Sequence, residues 1–151
     1  RLRVRATVHK GATTEDTVTN GGHGTHLVHG ELTNTILSAA YKVHSRLGPG
    51  LLERPYRECL RYELDHLGLA VETEKPFPVI YDSVAISLGY RIDMLVENEV
   101  IVEVKAVESI LAVHEAQLLS YLKLSHKRVG LLINFNVAHL RQGIRRRICG
   151  Y

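Results

Sequence analysis

The chain has 151 residues, a length that fits one domain with its own hydrophobic core. Its 19 basic and 16 acidic residues give a net charge of +3, which alone does not indicate a nucleic-acid-binding protein. No apolar run is long enough to cross a membrane and no signal peptide is recognisable, so a membrane partner is not expected. Two cysteines do not suggest a disulfide framework, and a reducing, cytoplasmic setting is expected.

Residues 1–30 differ in composition from the rest of the chain. Their centre is rich in Gly and Thr and poor in large apolar residues, a pattern typical of loops or disorder. His23, His26 and His29 lie three residues apart, a spacing that could bind a transition metal. A flexible tail is the favoured interpretation because nothing in the sequence orders the three rings. We therefore expect a flexible or foreign extension followed by one domain over residues 31–151.

Apolar periodicity and chain-breaking residues divide the remaining sequence into elements. In chain order they are helices at residues 33–47 and 53–67, strands at 70–74, 77–81, 85–96 and 100–107, a helix at 111–124, a strand at 127–135 and a short basic element at 140–148. Gly48-Pro49-Gly50 and Gly68 end the first two helices. This order predicts an α/β fold, with one mixed sheet flanked by helices.

Polar residues on two predicted helices are candidates for a site. On the third helix, His114, Gln117 and Tyr121 share one face because residues three and four apart are neighbours on a helix. The apolar face of that helix is predicted to consist of Leu111, Val113, Leu118 and Leu122. Glu53 begins the second helix, where the dipole favours a carboxylate, and is either a metal-site acid or a helix-end charge.

Three charged residues interrupt apolar strands in the middle of the chain. Glu103 and Lys105 alternate with valines in the segment Val100–Val107, so they share one face of the predicted strand. If the preceding loop holds an odd number of residues centred on Asn98, Asp93 lies directly opposite Glu103, with Cβ atoms about 5 Å apart. A two-residue loop would place the two carboxylates on opposite faces. The odd loop therefore predicts two carboxylates and an ammonium group at one place.

The chemistry of this group suits a hard metal ion. Mg²⁺ prefers oxygen ligands and keeps several waters, so one or two carboxylates and substrate phosphate oxygens satisfy it. Asp93 and Glu103 could hold the ion together with the backbone carbonyl of Val104. Lys105 could then orient an attacking water and offset the negative charge of the transition state. This combination suits phosphodiester hydrolysis without a covalent nucleophile.

The same residues have simpler interpretations. The charges at Asp93, Glu103 and Lys105 could be the solvent-facing positions of an edge strand. Gln117 and Tyr121 could be a surface residue and a residue at the edge of the core. Candidate contacts to a nucleic-acid backbone are Lys123, Lys127, Arg128, Arg145, Arg146 and Arg147. The three consecutive arginines fit a solvated patch equally well.

Several motifs agree in order and spacing with one known family. They are Gly50-Leu-Leu-Glu53-Arg-Pro-Tyr56, Gly89-Tyr-Arg-Ile-Asp93, Val102-Glu103-Val-Lys105, His114-Glu-Ala-Gln117-Leu-Leu-Ser-Tyr121-Leu-Lys123 and Gly130-Leu-Leu-Ile-Asn134-Phe-Asn136. Together they resemble the PD-(D/E)xK nuclease superfamily, and within it the small bacterial proteins of the GxxExxY family. The resemblance spans about residues 31–147 and implies a restriction-endonuclease-like α/β core.

The resemblance also implies roles for the charged residues. Asp93, Glu103 and Lys105 would form a metal-dependent catalytic centre, and Glu53 would be an accessory acid. Pro55, which precedes the motif tyrosine, departs from the usual pattern and puts the orientation of Glu53 in question.

The third helix carries a second point of resemblance. Gln117 and Tyr121 resemble the Gln-x-x-x-Tyr motif of RecB-like nucleases, in which these residues assist the metal site and contact the nucleic acid.

These observations lead to three functional hypotheses. The first is a Mg²⁺- or Mn²⁺-dependent nuclease that cleaves DNA rather than RNA. The second is a catalytically silent nucleic-acid-binding module of the same fold. The third is a scaffold protein, or one that binds metal through the histidines of its N-terminal tail, in which the charges on the strands are only surface charges. Because many small nucleases of this fold are dimers, a homodimer is a further expectation.

Overall fold

The computed structural model describes residues 29–150, apart from the side chain of Leu88. The predictions for residues 1–28, including His23 and His26, lie outside this range. His29 is the one member of the predicted histidine series that is described. It is largely buried, and its Nδ1 atom lies 3.0 Å from Oε2 of Glu99.

Eight regular helices and strands and one 3₁₀ helix make up the described residues. In chain order they are α1 (Gly30–Leu47), α2 (Glu53–His66), β1 (Val71–Tyr81), β2 (Val84–Val96), β3 (Val100–Lys105), α3 (Ala112–Ser125), β4 (Val129–Asn134), the 3₁₀ helix (Leu140–Gly143) and β5 (Ile144–Ile148). The predicted α/β class is confirmed, with element boundaries close to those expected.

The strands form one mixed sheet in the order β1-β2-β3-β4-β5. Strands β3 and β4 are parallel and are joined by α3, whereas every other neighbouring pair is antiparallel. Strand β3 therefore lies in the middle of the sheet, with paired neighbours on both sides. An interior strand must bury both faces, which explains why its valines continue without polar alternation until Glu103.

Helices cover both faces of this sheet. The larger apolar cluster packs α1 and α2 against Val102, Val104 and Leu131 on one face. The smaller cluster packs Leu118 and Leu122 of α3 against the other face. At this contact α3 lies so close to β4 that a Cβ atom on Gly130 would come within 2.6 Å of the Leu118 side chain.

The structure corrects the predicted apolar face of α3. Leu118 and Leu122 are buried as predicted, but Leu111 is 55% exposed and Val113 is 59% exposed. Leu111 precedes the helix in an extended conformation, and Val113 is in its first turn, before α3 reaches the sheet. Helical spacing alone therefore assigned too long an apolar face.

Two strands also differ from the prediction. Residues 71–81 form one strand rather than two, although they include Pro76 and Pro78. Proline is tolerated there because β1 is an edge strand, and Pro78 lies where the pairing register shifts. The basic element near the C-terminus includes strand β5, whose three arginines sit on the opposite edge of the sheet. None of the described helices is long and apolar enough to span a membrane.

Candidate active site

The turn between β2 and β3 has the odd length on which the predicted site depends. Val96 pairs with Val100 and Met94 with Val102, so the loop has three residues centred on Asn98. This register puts Asp93 next in line opposite Glu103, as predicted. The two carboxylates therefore meet at the end of the β2–β3 ladder.

Beyond Met94 and Val102, side chains replace the backbone hydrogen bonds between the two strands. The backbone N–H of Val104 donates to Oδ2 of Asp93 at 2.9 Å. The backbone N–H of Asp93 donates to Oε1 of Glu103 at 3.1 Å. Each carboxylate is thus oriented by a backbone amide of the neighbouring strand, an arrangement that limits its rotation.

Asp93 also marks a change in the direction of β2 side chains. Met94 packs in the cluster under α1 and α2, but Ile92, two residues earlier, packs in the cluster under α3. The regular pairing with β1 is interrupted here, and Glu74, the residue opposite Asp93 by register, has a left-handed φ of 50°. This local irregularity lies where the Asp93 side chain accepts the hydrogen bond from Val104 of β3.

The interpretation of these charges as an exposed edge-strand pattern is wrong. Glu103 lies on the central strand and is only 5% exposed. Burial, followed by the negative charge of Asp93, raises the pKa of Glu103 to about 8, against smaller opposing effects from the backbone hydrogen bond of Asp93 and the charge of Lys105. A buried carboxylate that is disfavoured by its own surroundings is the kind of group that a bound cation stabilises.

Glu53 joins this group from the first position of α2. Its pKa is raised chiefly by burial and then by the negative charge of Asp93, whereas Lys105, Arg57 and His114 lower it. Glu53, at the start of α2, therefore interacts electrostatically with Asp93 on β2 and with Lys105 at the end of β3.

Lys105 is the last residue of β3 and is partly exposed. Its backbone carbonyl accepts a hydrogen bond from the N–H of Phe135 at 2.9 Å, which fixes the end of the strand. The positive charge of Lys105 lowers the pKa of both Glu53 and Glu103. The lysine and the three acids therefore share one electrostatic environment.

The helix α3 contributes Tyr121 to the same region. Burial, followed by the negative charges of Glu103 and Asp93, raises the pKa of the Tyr121 hydroxyl. Its ring stacks on Tyr90 with a centroid separation of 4.3 Å, which holds the side chain in place. Gln117, one turn earlier, is exposed.

His114 has a local structural role at the start of α3. Its Nδ1 atom accepts a hydrogen bond from the backbone N–H of Leu111 at 3.0 Å, which caps the helix.

Arg57 is a site residue that the sequence prediction missed. One guanidinium nitrogen lies 3.4 Å from Oδ1 of Asp93, and the other lies 3.2 Å from Oε1 of Glu74. Its side chain is 13% exposed, so it remains inside the site and does not extend into solvent. The available signal was its position four residues after Glu53, on the same face of α2.

The predicted nucleic-acid contacts are spread around the sheet. Lys127 and Arg128 precede β4 at the end opposite Lys105, and Lys127 donates to Asn98 at 3.1 Å. Arg145 and Arg147 on β5 pair with Glu115 of α3.

The two other basic candidates lie elsewhere. Lys123 is exposed near the end of α3. Burial lowers the pKa of Arg146 on β5.

The donor set at the end of β3 fits a hard divalent cation. No cluster of three or more His, Cys, Asp or Glu side chains with metal-binding geometry occurs within residues 29–150. Asp93 and Glu103 alone provide two oriented carboxylates, which matches Mg²⁺ or Mn²⁺ better than an ion that requires four protein ligands. Val104 contacts this centre through its N–H, and its side chain is buried in the core.

Comparison with known proteins gives an independent result. A family model described as the PD-(D/E)XK nuclease superfamily matches residues 30–147, which is most of the chain and includes every site residue above. No curated protein and no solved structure matches the chain. The match agrees with the mixed sheet, which is the restriction-endonuclease-like fold, and with the position of the acids Asp93 and Glu103 and of Lys105 on the neighbouring strands β2 and β3. The chain therefore belongs to the PD-(D/E)XK nuclease superfamily.

Proposed function

We propose that this protein is a Mg²⁺- or Mn²⁺-dependent nuclease that hydrolyses phosphodiester bonds, with DNA rather than RNA as substrate. The observation that carries the proposal is the Asp93 and Glu103 pair, in which each carboxylate accepts a hydrogen bond from the opposite strand. Lys105 follows on the same strand as Glu103. Two fixed acids and a lysine are the groups that metal-assisted phosphodiester hydrolysis requires.

In this mechanism Asp93, Glu103 and the Val104 carbonyl would hold the divalent ion. When bound, the ion supplies positive charge to the scissile phosphate and makes a water molecule more acidic. Lys105 orients the attacking water and offsets the negative charge that develops on the phosphate oxygens. Glu53 acts as an accessory acid near the ion.

The helix α3 has a supporting role in this proposal. Tyr121 and Gln117 assist the site from this helix, in the manner of the Gln-x-x-x-Tyr motif. Together with the motif at Gly50–Tyr56, this pattern supports membership of the GxxExxY family.

The positions of the basic residues refine the proposed nucleic-acid surface. Of the six basic residues suggested by the sequence, Lys127 and Arg128 lie at the far end of the sheet and would contact only a substrate that extends that far. Arg54 and Arg91 are exposed. Arg54 follows Glu53 directly, and Arg91 lies two residues before Asp93 in sequence. We propose that these two arginines contact the phosphates next to the cleaved bond.

Cleavage assays on DNA and RNA with and without Mg²⁺ or Mn²⁺ test this proposal. The variants Asp93→Asn and Glu103→Gln should lose metal-dependent cleavage while remaining folded. Lys127→Ala, which changes a basic residue far from the site, is the matched control and should remain active. Cleavage that is unchanged in both site variants would exclude this mechanism.

A second candidate function is nucleic-acid binding without catalysis. The pairing of Arg57 with Oδ1 of Asp93 favours it, because this cation occupies an oxygen that a metal ion would use. The two functions differ in one measurement. Binding that weakens as salt rises, with no turnover in Mg²⁺, Mn²⁺ or other divalent ions, would support the binding module.

Three broader features remain proposals. The structure places Gly30 in α1 and His29 against Glu99, so the predicted boundary at residue 30 moves to residue 28. We propose that residues 1–28 are an extension separate from the nuclease domain, that the protein works in the cytoplasm and that it forms a homodimer. Light scattering on the full chain and on a chain lacking residues 1–28 would test the first and third of these together.

A further inference from the structure

The loop between α1 and α2 leads directly into Glu53. Gly48 and Gly50 have positive φ values of 65° and 104°, so the loop has no regular structure of its own. Leu51 is 42% exposed and Leu52 is 81% exposed, so these side chains do not anchor the loop in the core. The loop that leads into Glu53 is therefore held by polar contacts of its backbone.

Tyr56 makes two of these contacts. Its hydroxyl donates to the carbonyl of Gly48 at 2.6 Å and accepts from the N–H of Leu51 at 3.1 Å. The ring is fully buried and stacks on Phe135 with a centroid separation of 4.7 Å. One rigid side chain thus holds both ends of the loop against the end of β4.

Asn136 makes the third contact. Its Oδ1 atom accepts a hydrogen bond from the N–H of Gly50 at 3.1 Å, and its backbone N–H donates to Oδ1 of Asn134 at 3.2 Å. The buried Asn134 in turn bonds both the N–H and the carbonyl of Val107, at 3.0 and 2.9 Å. These contacts connect the loop before Glu53 with the segment that follows Lys105.

We propose that Tyr56 and Asn136 are positioning residues that form a latch on the Gly48–Leu52 loop and so hold Glu53 beside Asp93 and Lys105. The inference rests on the proposed role of Glu53 at the metal site. It gives the tyrosine of the Gly50–Tyr56 motif a function that is not chemical. The hydroxyl is bonded to the loop backbone, so it acts through Glu53 and does not contact a substrate.

The latch can be tested first without metal or catalysis. Tyr56→Phe keeps the ring that stacks on Phe135 and removes only the hydroxyl. Amide hydrogen exchange of the full chain should then accelerate at Leu51, by about fivefold or more for the loss of one hydrogen bond. Asn136→Ala should accelerate exchange at Gly50 in the same way. Tyr62→Phe, which changes an exposed tyrosine of the same helix, is the control and should leave both amides unchanged.

The second test connects the latch to Glu53. Tyr56→Phe should weaken Mn²⁺ binding about fivefold, but it should cause no further loss when Glu53 is already Gln, because both changes remove the same contribution. A merely structural role would reduce affinity equally in both backgrounds, and that result would overturn the proposal. Unchanged exchange at Leu51 and Gly50 would overturn it as well.

The exchange measurement also separates this inference from the proposed function. If Asp93→Asn leaves Mn²⁺ binding unaltered, the metal site has failed. The exchange at Leu51 then still decides whether the latch exists.

Discussion

Replacing Glu103 with Gln tests the charge balance of the site in the metal-free protein. The folded structure raises the pKa of Glu103 to about 8, chiefly by burial and then by the charge of Asp93, from a usual value of 4.5. The folded state therefore takes up a proton that the unfolded state releases. The contribution of the protonated Glu103 to the free energy of unfolding is fully present below pH 4.5 and declines as the pH rises towards 8.

The magnitude follows from this difference. Each unit of pKa difference corresponds to about 1.4 kcal/mol. Near pH 7 the folded state holds Glu103 largely protonated whereas the unfolded state holds it ionised, and this difference lowers the free energy of unfolding by up to about 3 kcal/mol relative to low pH. Glutamine removes the charge, and its carbonyl oxygen can still accept the hydrogen bond from the N–H of Asp93. We therefore expect Glu103→Gln to stabilise the metal-free protein by about 1–3 kcal/mol at pH 7, with the lower value reflecting the unpaired amide group.

Urea unfolding in the presence of a chelator, at several pH values between 5 and 8, measures this effect. The wild-type protein should lose stability across the range, and Glu103→Gln should show a smaller loss. Glu115→Gln is a useful comparison because it changes an acid paired with Arg147, away from the site. A Glu103→Gln variant that is less stable than wild type at pH 8, with an unchanged pH slope, would refute the reasoning.

Three further predictions concern the positive charges around the site. Lys105→Ala should reduce metal-dependent cleavage by at least about a hundredfold, because the negative charge on the phosphate oxygens is no longer offset. Its unfolding temperature should stay close to that of wild type, and full activity would remove Lys105 from the mechanism. Arg57→Gln should tighten Mn²⁺ binding about fivefold, because it frees Oδ1 of Asp93 from a competing cation; weaker binding in a calorimetric titration would show that Arg57 orients Asp93 instead. Arg91→Ala should lower DNA affinity measured in Ca²⁺ and reduce the slope of log affinity against log salt concentration by about one, whereas Lys127→Ala should change neither quantity. The reverse pattern would place the substrate at the other end of the sheet.

The β2–β3 turn shows how far local sequence reasoning extends. Alternation in the valine-rich strand predicted that Glu103 and Lys105 share a face, and it related the position of Asp93 to the length of the loop. It could not choose between loop lengths. In the structure, Glu97 and Asn98 adopt left-handed conformations, and Ala70 exchanges hydrogen bonds with Glu97. A contact from a residue distant in sequence thus accompanies the register on which the site depends.

Whether a strand lies at the edge or in the centre of the sheet is likewise decided by the whole fold. The sequence predicted two strands where the structure has the single strand β1, and an edge strand accommodates both Pro76 and Pro78. Strand β5 lies at the opposite edge of the sheet. Its three consecutive arginines did not predict a strand because apolar and polar residues do not alternate among them. Arg57 was overlooked for a similar reason, since its partners Asp93 and Glu74 come from strands that the helix meets only after folding.

The sequence by itself determined the family, the fold class and the identity of the acids and the lysine, because residue types, periodicity and spacing are local properties that the chain carries before it folds. The tertiary structure alone decided that β3 is central and Glu103 is buried. It also decided that Glu53 and Arg57 of α2 interact with Asp93 of β2, Glu53 through its charge and Arg57 through an ion pair. Burial and charge pairing depend on which distant segments become neighbours. That information is in the packed structure and not in any single stretch of the chain.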